Sequence, residues 1–270
     1  MTRPPQTAPS LPAHLRDGQL LPPAIVRAGH TAGVKQRPAR ARDEAEHIRL
    51  GDPGPCPPDG ATVFIVLDES ASVASGGGND PLSRRHEETA LAIWHVAAAC
   101  QCGRDRAALV PFDMNSAGHV APQPFTARGL RRLDRGLHRL SGGCGLSSDL
   151  GPALDRVEAY AGRQCENNAV VVFSDFLLTD ANPSNILSRL RTLPGYVHAV
   201  VLGAAPPRVL VAAPDVTVTH LTPSSPPGSA ARAVFDGLTH FRTILESRAG
   251  QASPRCTKPS TGRSNSHDHT

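Results

Sequence analysis

The stretch Thr62-Val63-Phe64-Ile65-Val66-Leu67-Asp68-Glu69-Ser70-Ala71-Ser72 decides how this chain folds. Its first six residues are apolar or β-branched without a break. That is the pattern of a strand buried on both faces, since a sheet with one wet face would alternate. Such a strand belongs inside a parallel sheet with helices above and below it. The five residues that follow change character at once, to two acids and then two hydroxyls around an alanine.

Working outward, a loop containing Gly76-Gly77-Gly78 leads to Asp80-Pro81, which read as N-cap and first helical position. Leu91, Ile93, Trp94, Ala97 and Ala98 give that helix its apolar face, and Gly103 ends it. Residues 107–112 read as a second strand and 119–125 as a short edge strand. Leu130, Leu133, Leu137 and Leu140 recur at helical spacing, with Arg128, Arg131, Arg132, Arg135 and Arg139 on a solvated opposite face. A helix is expected from near Ser148 through Leu150, Leu154 and Val157. Residues 169–173, 197–202 and 216–221 are further strands, and 185–193 a short helix. Ser229 is expected to cap a last helix with Ala233, Val234, Leu238, Phe241 and Leu245 inward. This alternation predicts an α/β, Rossmann-like doubly wound, mostly parallel sheet with helices on both faces.

Composition sets the boundaries. The chain has 270 residues, 26 of them Pro and 24 Gly, too many for one evenly packed globule. Eleven prolines fall within residues 1–58, and residues 251–270 are polar and small. The expected organisation is therefore a disordered segment 1–58, one domain over 59–249 and a disordered tail 250–270. The formal net charge of +4 belongs to the ends, because 59–249 carries 17 Arg and no Lys against 18 acidic residues. Nucleic-acid binding by the domain loses its simplest support. No apolar run approaches a membrane span, and the first residues lack a signal-peptide core. A soluble, cytoplasmic protein is expected. The preference for Arg over Lys, with the Ala, Gly and Pro load, suggests a bacterial source of high GC content. Cys56, Cys100, Cys102, Cys144, Cys165 and Cys256 show no C-x-x-C pair and read as reduced thiols.

In an open parallel sheet, ligands bind beyond the carboxyl ends of the strands. Three oxygen-bearing clusters fall there. Asp68-Glu69-Ser70-Ala71-Ser72 follows the first strand, Ser147-Ser148-Asp149 opens a helix, and Ser174-Asp175 follows the strand 169–173. Carboxylates and hydroxyls without Cys or His suit a hard cation such as Mg²⁺ rather than zinc.

Here the sequence resembles the von Willebrand factor A domain. The motif D-x-S-x-S is present as Asp68, Ser70 and Ser72, directly after the apolar strand. The family's later Thr matches Ser148, in Ser147-Ser148-Asp149-Leu150-Gly151-Pro152-Ala153-Leu154, similar to the family's T-D-L-x-x-A-L. Its last acidic position matches Asp175. The resemblance covers roughly residues 61–247. It implies a metal-ion-dependent adhesion site with Asp68, Ser70, Ser72, Ser148 and Asp175 as metal ligands, backed by Glu69, Asp149 and Ser174. It implies bound Mg²⁺, with Mn²⁺ or Ca²⁺ as alternatives, and a protein partner that supplies an Asp or Glu to the metal. Bacterial proteins resembling this one often work with ATPases or in stress systems. Two positions depart from the family. Ser148 keeps the hydroxyl of Thr without its rotamer-restricting methyl. Glu69 stands where the family is more often neutral, and is expected to face solvent or, failing that, to add negative potential.

Enzyme readings fit less well. A haloacid-dehalogenase-like phosphatase needs a second Asp at position 70, which is Ser. The Gly-rich SGGGND lacks the spacing of a dinucleotide fingerprint, and G-x-S-x-G is absent. A metal-dependent hydrolase built on Asp68 and Asp175, with Asp113 and Asp149 in a two-metal nuclease version, would want acids where the serines stand. A non-enzymatic interaction module is the expectation.

Overall fold

In the computed structural model the described residues are 48–57, 59–75, 78–81, 84–100, 103–113, 115–141, 145, 147–162 and 167–249, the side chains of 240–241 and 243–249 excepted. Six strands form one sheet. They are β1 (Thr62–Leu67), β2 (Arg106–Pro111), β3 (Val120–Pro124), β4 (Asn168–Ser174), β5 (Tyr196–Leu202) and β6 (Val216–Leu221). The spatial order is β3-β2-β1-β4-β5-β6. Every pairing is parallel except β2 with β3, which is antiparallel and places β3 at an edge.

The helices are α1 (Ala71–Ala74), α2 (Arg85–Ala99), α3 (Ala127–Ser141), α4 (Gly151–Ala161), α5 (Pro183–Thr192), α6 (Arg208–Val211) and α7 (Ser229–Ala249). The side chains of β1 divide by parity, as strand geometry requires. Val63, Ile65 and Leu67 join α2, α3 and α7 in one core layer. Phe64 and Val66 join α4, α5 and α6 in the other. All six residues of β1 are buried, and each of its large apolar side chains stabilises the fold by about 1.5–3 kcal/mol. The doubly wound sheet expected from the sequence is therefore the one observed.

Element ends differ from expectation where a side chain from elsewhere intervenes. Asp80-Pro81 does not start α2, which begins at Arg85. The Asp80 carboxylate receives the Arg85 guanidinium instead of helix amides. Helix α4 begins at Gly151, three residues after Ser148, and Asp180 caps it by accepting from the amides of Leu150 and Gly151, each at 2.9 Å. Ser229 does not cap α7, since its hydroxyl donates to Pro226 O. The buried Glu88 of α2 does so, accepting from the amides of Gly228 and Ala230 at 2.9 Å and Ala231 at 3.3 Å. A carboxylate at a helix N-terminus satisfies otherwise unpaired amides and meets the positive end of the helix dipole. The side chains of Phe241 and Leu245 lie outside the described residues.

Residues 1–47 and 250–270 also lie outside the described residues. Residues 48–57, expected in the disordered segment, pack on the domain. Ile48 and Leu50 sit against the core layer of α7. His95 Nε2 donates to Gly51 O at 2.8 Å, and Arg242 donates to Gly54 O at 2.8 Å. A segment without periodicity is held here through its backbone carbonyls, which leave no pattern in the sequence. Among the described residues no helix is long and apolar enough to cross a membrane.

Candidate functional site

Strand order reverses between β1 and β4. The connection from β1 runs toward β2, and that from β4 runs toward β5. This is the switch point at which open α/β sheets leave a crevice beyond their carboxyl ends. Asp68 follows β1 and Asp175 follows β4. The two strands are in register, with Leu67 beside Phe173, and Asp68 N donates to Phe173 O at 2.9 Å.

Asp68 is fully buried. Its Oδ1 accepts from Ser70 N at 3.0 Å and its Oδ2 from Ser174 Oγ at 2.6 Å. Burial pushes its carboxyl above the usual carboxylate range. The Ser174 and Ser70 hydrogen bonds oppose that rise, and the nearby charge of Asp175 adds to it. Asp175 is 1% exposed. Its Oδ1 accepts from Leu177 N at 3.0 Å and its Oδ2 from Asn79 Nδ2 at 2.9 Å. Among the described residues no Lys, Arg or His forms an ion pair with either carboxylate. Two buried neighbouring anions without a cation are costly.

Ser70 Oγ and Ser72 Oγ stand 3.0 Å apart. Two oxygens side by side on a six-coordinate Mg²⁺ are separated by about 3 Å. The donor set therefore fits a hard octahedral cation in chemistry and, at this pair, in spacing.

Ser148 reaches the same edge by another route. Gly145 forms an isolated parallel bridge with Ser70, which brings the 145–149 loop beside the Asp68 motif. Ser148 O accepts from Thr179 N at 3.4 Å, and Asp149 Oδ1 accepts from Thr179 Oγ1 at 2.7 Å. Ser148 and Asp149 are thus tied to the segment that follows Asp175. Ser174 stands behind Asp68 and also accepts from Phe176 N at 2.8 Å. Phe176 has a φ of 56°, a strained value for a bulky residue, directly beside Asp175. Asp113 and Asp149 make contacts of their own, with Asn115 N and Thr179, and form no cluster with Asp68 and Asp175.

Glu69 does not face solvent. It is 4% exposed, and its Oε2 receives Arg85 at 2.9 Å while its Oε1 pairs with His86 Nε2 at 2.7 Å. Arg85 also binds Asp80 and donates to Asp68 O at 3.2 Å. Two residues after the strand the side chain turns inward, because an arginine sixteen positions later fills the space beneath the loop. The guanidinium is taken up by Glu69 and Asp80, so it does not neutralise Asp68 or Asp175.

Sequence reasoning missed Asn79, Arg85, His86, Thr179 and Asp180. The signal available for Asn79 was an amide closing a Gly-rich loop beside the motif. Its approach depends on Gly203, whose φ is 64° and whose added Cβ would stand 2.4 Å from Asn79 O. Thr179-Asp180 follow Asp175 within five residues, and the ties of Thr179 to Ser148 and Asp149 and the cap of α4 by Asp180 are visible only in three dimensions.

No protein-family model matches the chain, and no curated protein does. Solved structures do match. The pilus adhesin SpaC from Lactobacillus rhamnosus GG aligns with a TM-score of 0.51 at 12% identity, over 72% of this chain and 32% of that one. BatB from Bacteroides thetaiotaomicron aligns at 0.47 and 12%, over 68% and 100%. The manganese-loaded TRAP protein from Plasmodium vivax aligns at 0.44 and 10%, over 67% and 74%. The chain spans about a third of the adhesin's length. At such identities the likeness concerns the fold alone. Together with the strand order and the two helical layers, the match to the adhesin shows a doubly wound, mostly parallel α/β domain.

Proposed function

We propose that this chain is a metal-dependent protein-interaction module. Asp68, Ser70, Ser72, Ser148 and Asp175 hold a divalent cation, Mg²⁺ first and Mn²⁺ or Ca²⁺ as alternatives. The observation that carries this reading is the pair of buried carboxylates, Asp68 and Asp175, with no cationic side chain on either among the described residues. When bound, the cation supplies an electrophilic centre that takes a carboxylate oxygen from an Asp or Glu of a partner protein. Ser174 holds Asp68, Asn79 orients Asp175, and Arg85 stiffens the loop beneath by engaging Glu69 and Asp80.

The reading assigns no catalytic residue, no nucleic-acid contact and no membrane contact. An ATPase or stress-system component in the cytoplasm is the partner class it favours, by analogy with proteins that share the resemblance. Calorimetry with millimolar Mg²⁺, and capture of partners from the source cell with and without EDTA, test it. Binding of Mg²⁺ by the wild type and not by Asp68→Asn, with partners lost in EDTA, is the expected result. Metal-dependent phosphoester or nucleic-acid turnover that disappears in Asp68→Asn, with no EDTA-sensitive partner, overturns it.

A further inference from the structure

Cys56 and Cys100 are 44 positions apart, and their sulfurs stand 3.0 Å from each other. Even carbon atoms in contact keep about 3.5–4.0 Å, and sulfur is larger. Cys56 is partly exposed on the segment before β1, and Cys100 is buried just past the end of α2. Both are held in place from behind. Asp105 Oδ1 accepts from Ala61 N at 2.9 Å, and its Oδ2 is paired with Arg242 at 2.5 Å. Cys100 Sγ donates to the same Oδ2 at 3.5 Å. Arg242 also donates to Gly54 O at 2.8 Å, two residues from Cys56. One buried guanidinium therefore fixes the strap that carries Cys56 and the carboxylate that faces Cys100.

Two chemistries suit such a cluster. The ligand atoms of Cys56, Cys100 and Asp105 all lie within 4.8 Å of one another, as a metal would require. Two features argue against a metal. Sulfurs that share a tetrahedral zinc at about 2.3 Å are separated by about 3.8 Å, wider than the spacing here. Arg242 already occupies Asp105 and repels a second cation. A covalent bond between the sulfurs needs neither a third ligand nor an anion.

We infer that Cys56 and Cys100 form a reversible disulfide that latches the strap of residues 51–57 to the end of α2. The more exposed Cys56 starts the exchange with a low-molecular-weight disulfide, RS–SR, as oxidant. Its thiolate attacks one sulfur, the external S–S bond breaks and RS⁻ leaves. The Cys100 thiolate then attacks Cys56 Sγ, the protein S–S bond forms and a second RS⁻ leaves. Two protein thiols are oxidised, one external disulfide becomes two thiols, and the two protons given up by the cysteines pass to these through solvent. The loop so closed contains β1, Asp68, Ser70, Ser72 and all of α2. Closing it restricts the unfolded chain and stabilises the folded one. This inference stands independently of the metal reading.

The test equilibrates the full chain across a series of oxidised and reduced glutathione, then maps peptides by mass spectrometry without reduction. A peptide containing Cys56 joined to one containing Cys100 is expected. The Tm of the oxidised protein should rise by roughly 5–15 °C and fall back with dithiothreitol. Cys56→Ser and Cys100→Ser should each remove both the link and the shift. Cys100 joined to a different cysteine, or both thiols open to alkylation throughout the series, overturns the inference. So does stoichiometric Zn²⁺ that is lost in Cys56→Ser. A mapped Cys56–Cys100 link with unchanged Tm overturns the latch.

Discussion

Asp68 and Asp105 sit at opposite ends of one pair of parallel strands. Asp68 follows β1 and Asp105 precedes β2, and they are 0% and 3% exposed. Their burial is equal and their surroundings are opposite. Asp105 meets an amide, a thiol and the guanidinium of Arg242. Asp68 meets an amide and a hydroxyl, and the charge of another carboxylate, Asp175, adds to the rise of its pKa. A buried anion with its cation built in is part of the structure. A buried anion facing a second anion costs stability until a cation arrives. The carboxyl ends of the strands thus hold the functional candidate, and the amino ends hold a strut.

The largest effect should come from breaking the strut. Arg242→Met leaves Asp105 charged and uncompensated, and removing one partner of a buried pair typically costs about 3–5 kcal/mol. Arg242 also donates to Pro53 O and Gly54 O, so the segment before β1 should loosen with it. Urea unfolding measures the cost, and limited proteolysis reports the segment. A loss below about 1 kcal/mol would mean that Asp105 is no better compensated than Asp68, and the contrast would fail.

The same kind of change at the other end should have the opposite outcome. Asp68→Asn removes a charge that burial already disfavours. The new amide keeps both local contacts, because its oxygen still accepts from Ser70 N and Ser174 Oγ can accept from its nitrogen. In EDTA the variant should melt at or above the wild-type temperature. In millimolar Mg²⁺ the wild type should gain stability by mass action and the variant should not. A variant that melts well below wild type in EDTA would show that Asp68 is structural, as Asp105 is.

A smaller effect is expected one step away from the ligands. Asn79→Ala removes the amide that holds Asp175 Oδ2 but leaves both carboxylates in place. Losing such an orienting partner should weaken Mg²⁺ binding roughly tenfold, the lower end for groups behind a metal ligand. Titration calorimetry measures it. Unchanged affinity would place Asn79 in the loop's own packing and leave Asp175 to orient itself.

What the sequence made legible follows from the range of the forces involved. The run 62–67 and the strands 169–173 and 197–202 announce themselves because burial on both faces is written residue by residue, whereas 216–221, only partly buried, shows through its β-branched residues. Asp68 and Asp175 were found because they stand next to those runs. Glu69 could not be placed, since its orientation depends on Arg85 and His86. The cap of α7 comes from Glu88, about 140 positions earlier, and no local pattern records such an acceptor. The pairing of Cys56 with Cys100 and the hold of Arg242 on the segment before β1 are of the same kind. Periodicity reports burial, whereas compensation of buried charge is set by contacts distant in sequence.

The mildest test of the comparison concerns a titrating group away from both aspartates. His119, just before the edge strand β3, pairs its Nε2 with Tyr160 Oη of α4 at 3.2 Å, and the rings lie nearly parallel with centroids 6.0 Å apart. Burial and then the neighbouring Arg156 hold its pKa below the ordinary 6.5. The folded protein therefore binds this proton less well than the unfolded chain does. The stability His119 contributes is fully present above pH 6.5 and is lost as pH falls from there through its lowered folded value. His119→Phe keeps an aromatic ring against Tyr160 and removes the titration. Between pH 7 and 5 its Tm should fall less steeply than that of the wild type, by on the order of a degree or two. The site is half-buried and solvent screens it, so the difference stays small. Parallel pH profiles would show that Arg156 and burial leave His119 no stronger a proton acceptor in the unfolded chain. Charge compensation would then have to be tested at the two aspartates alone.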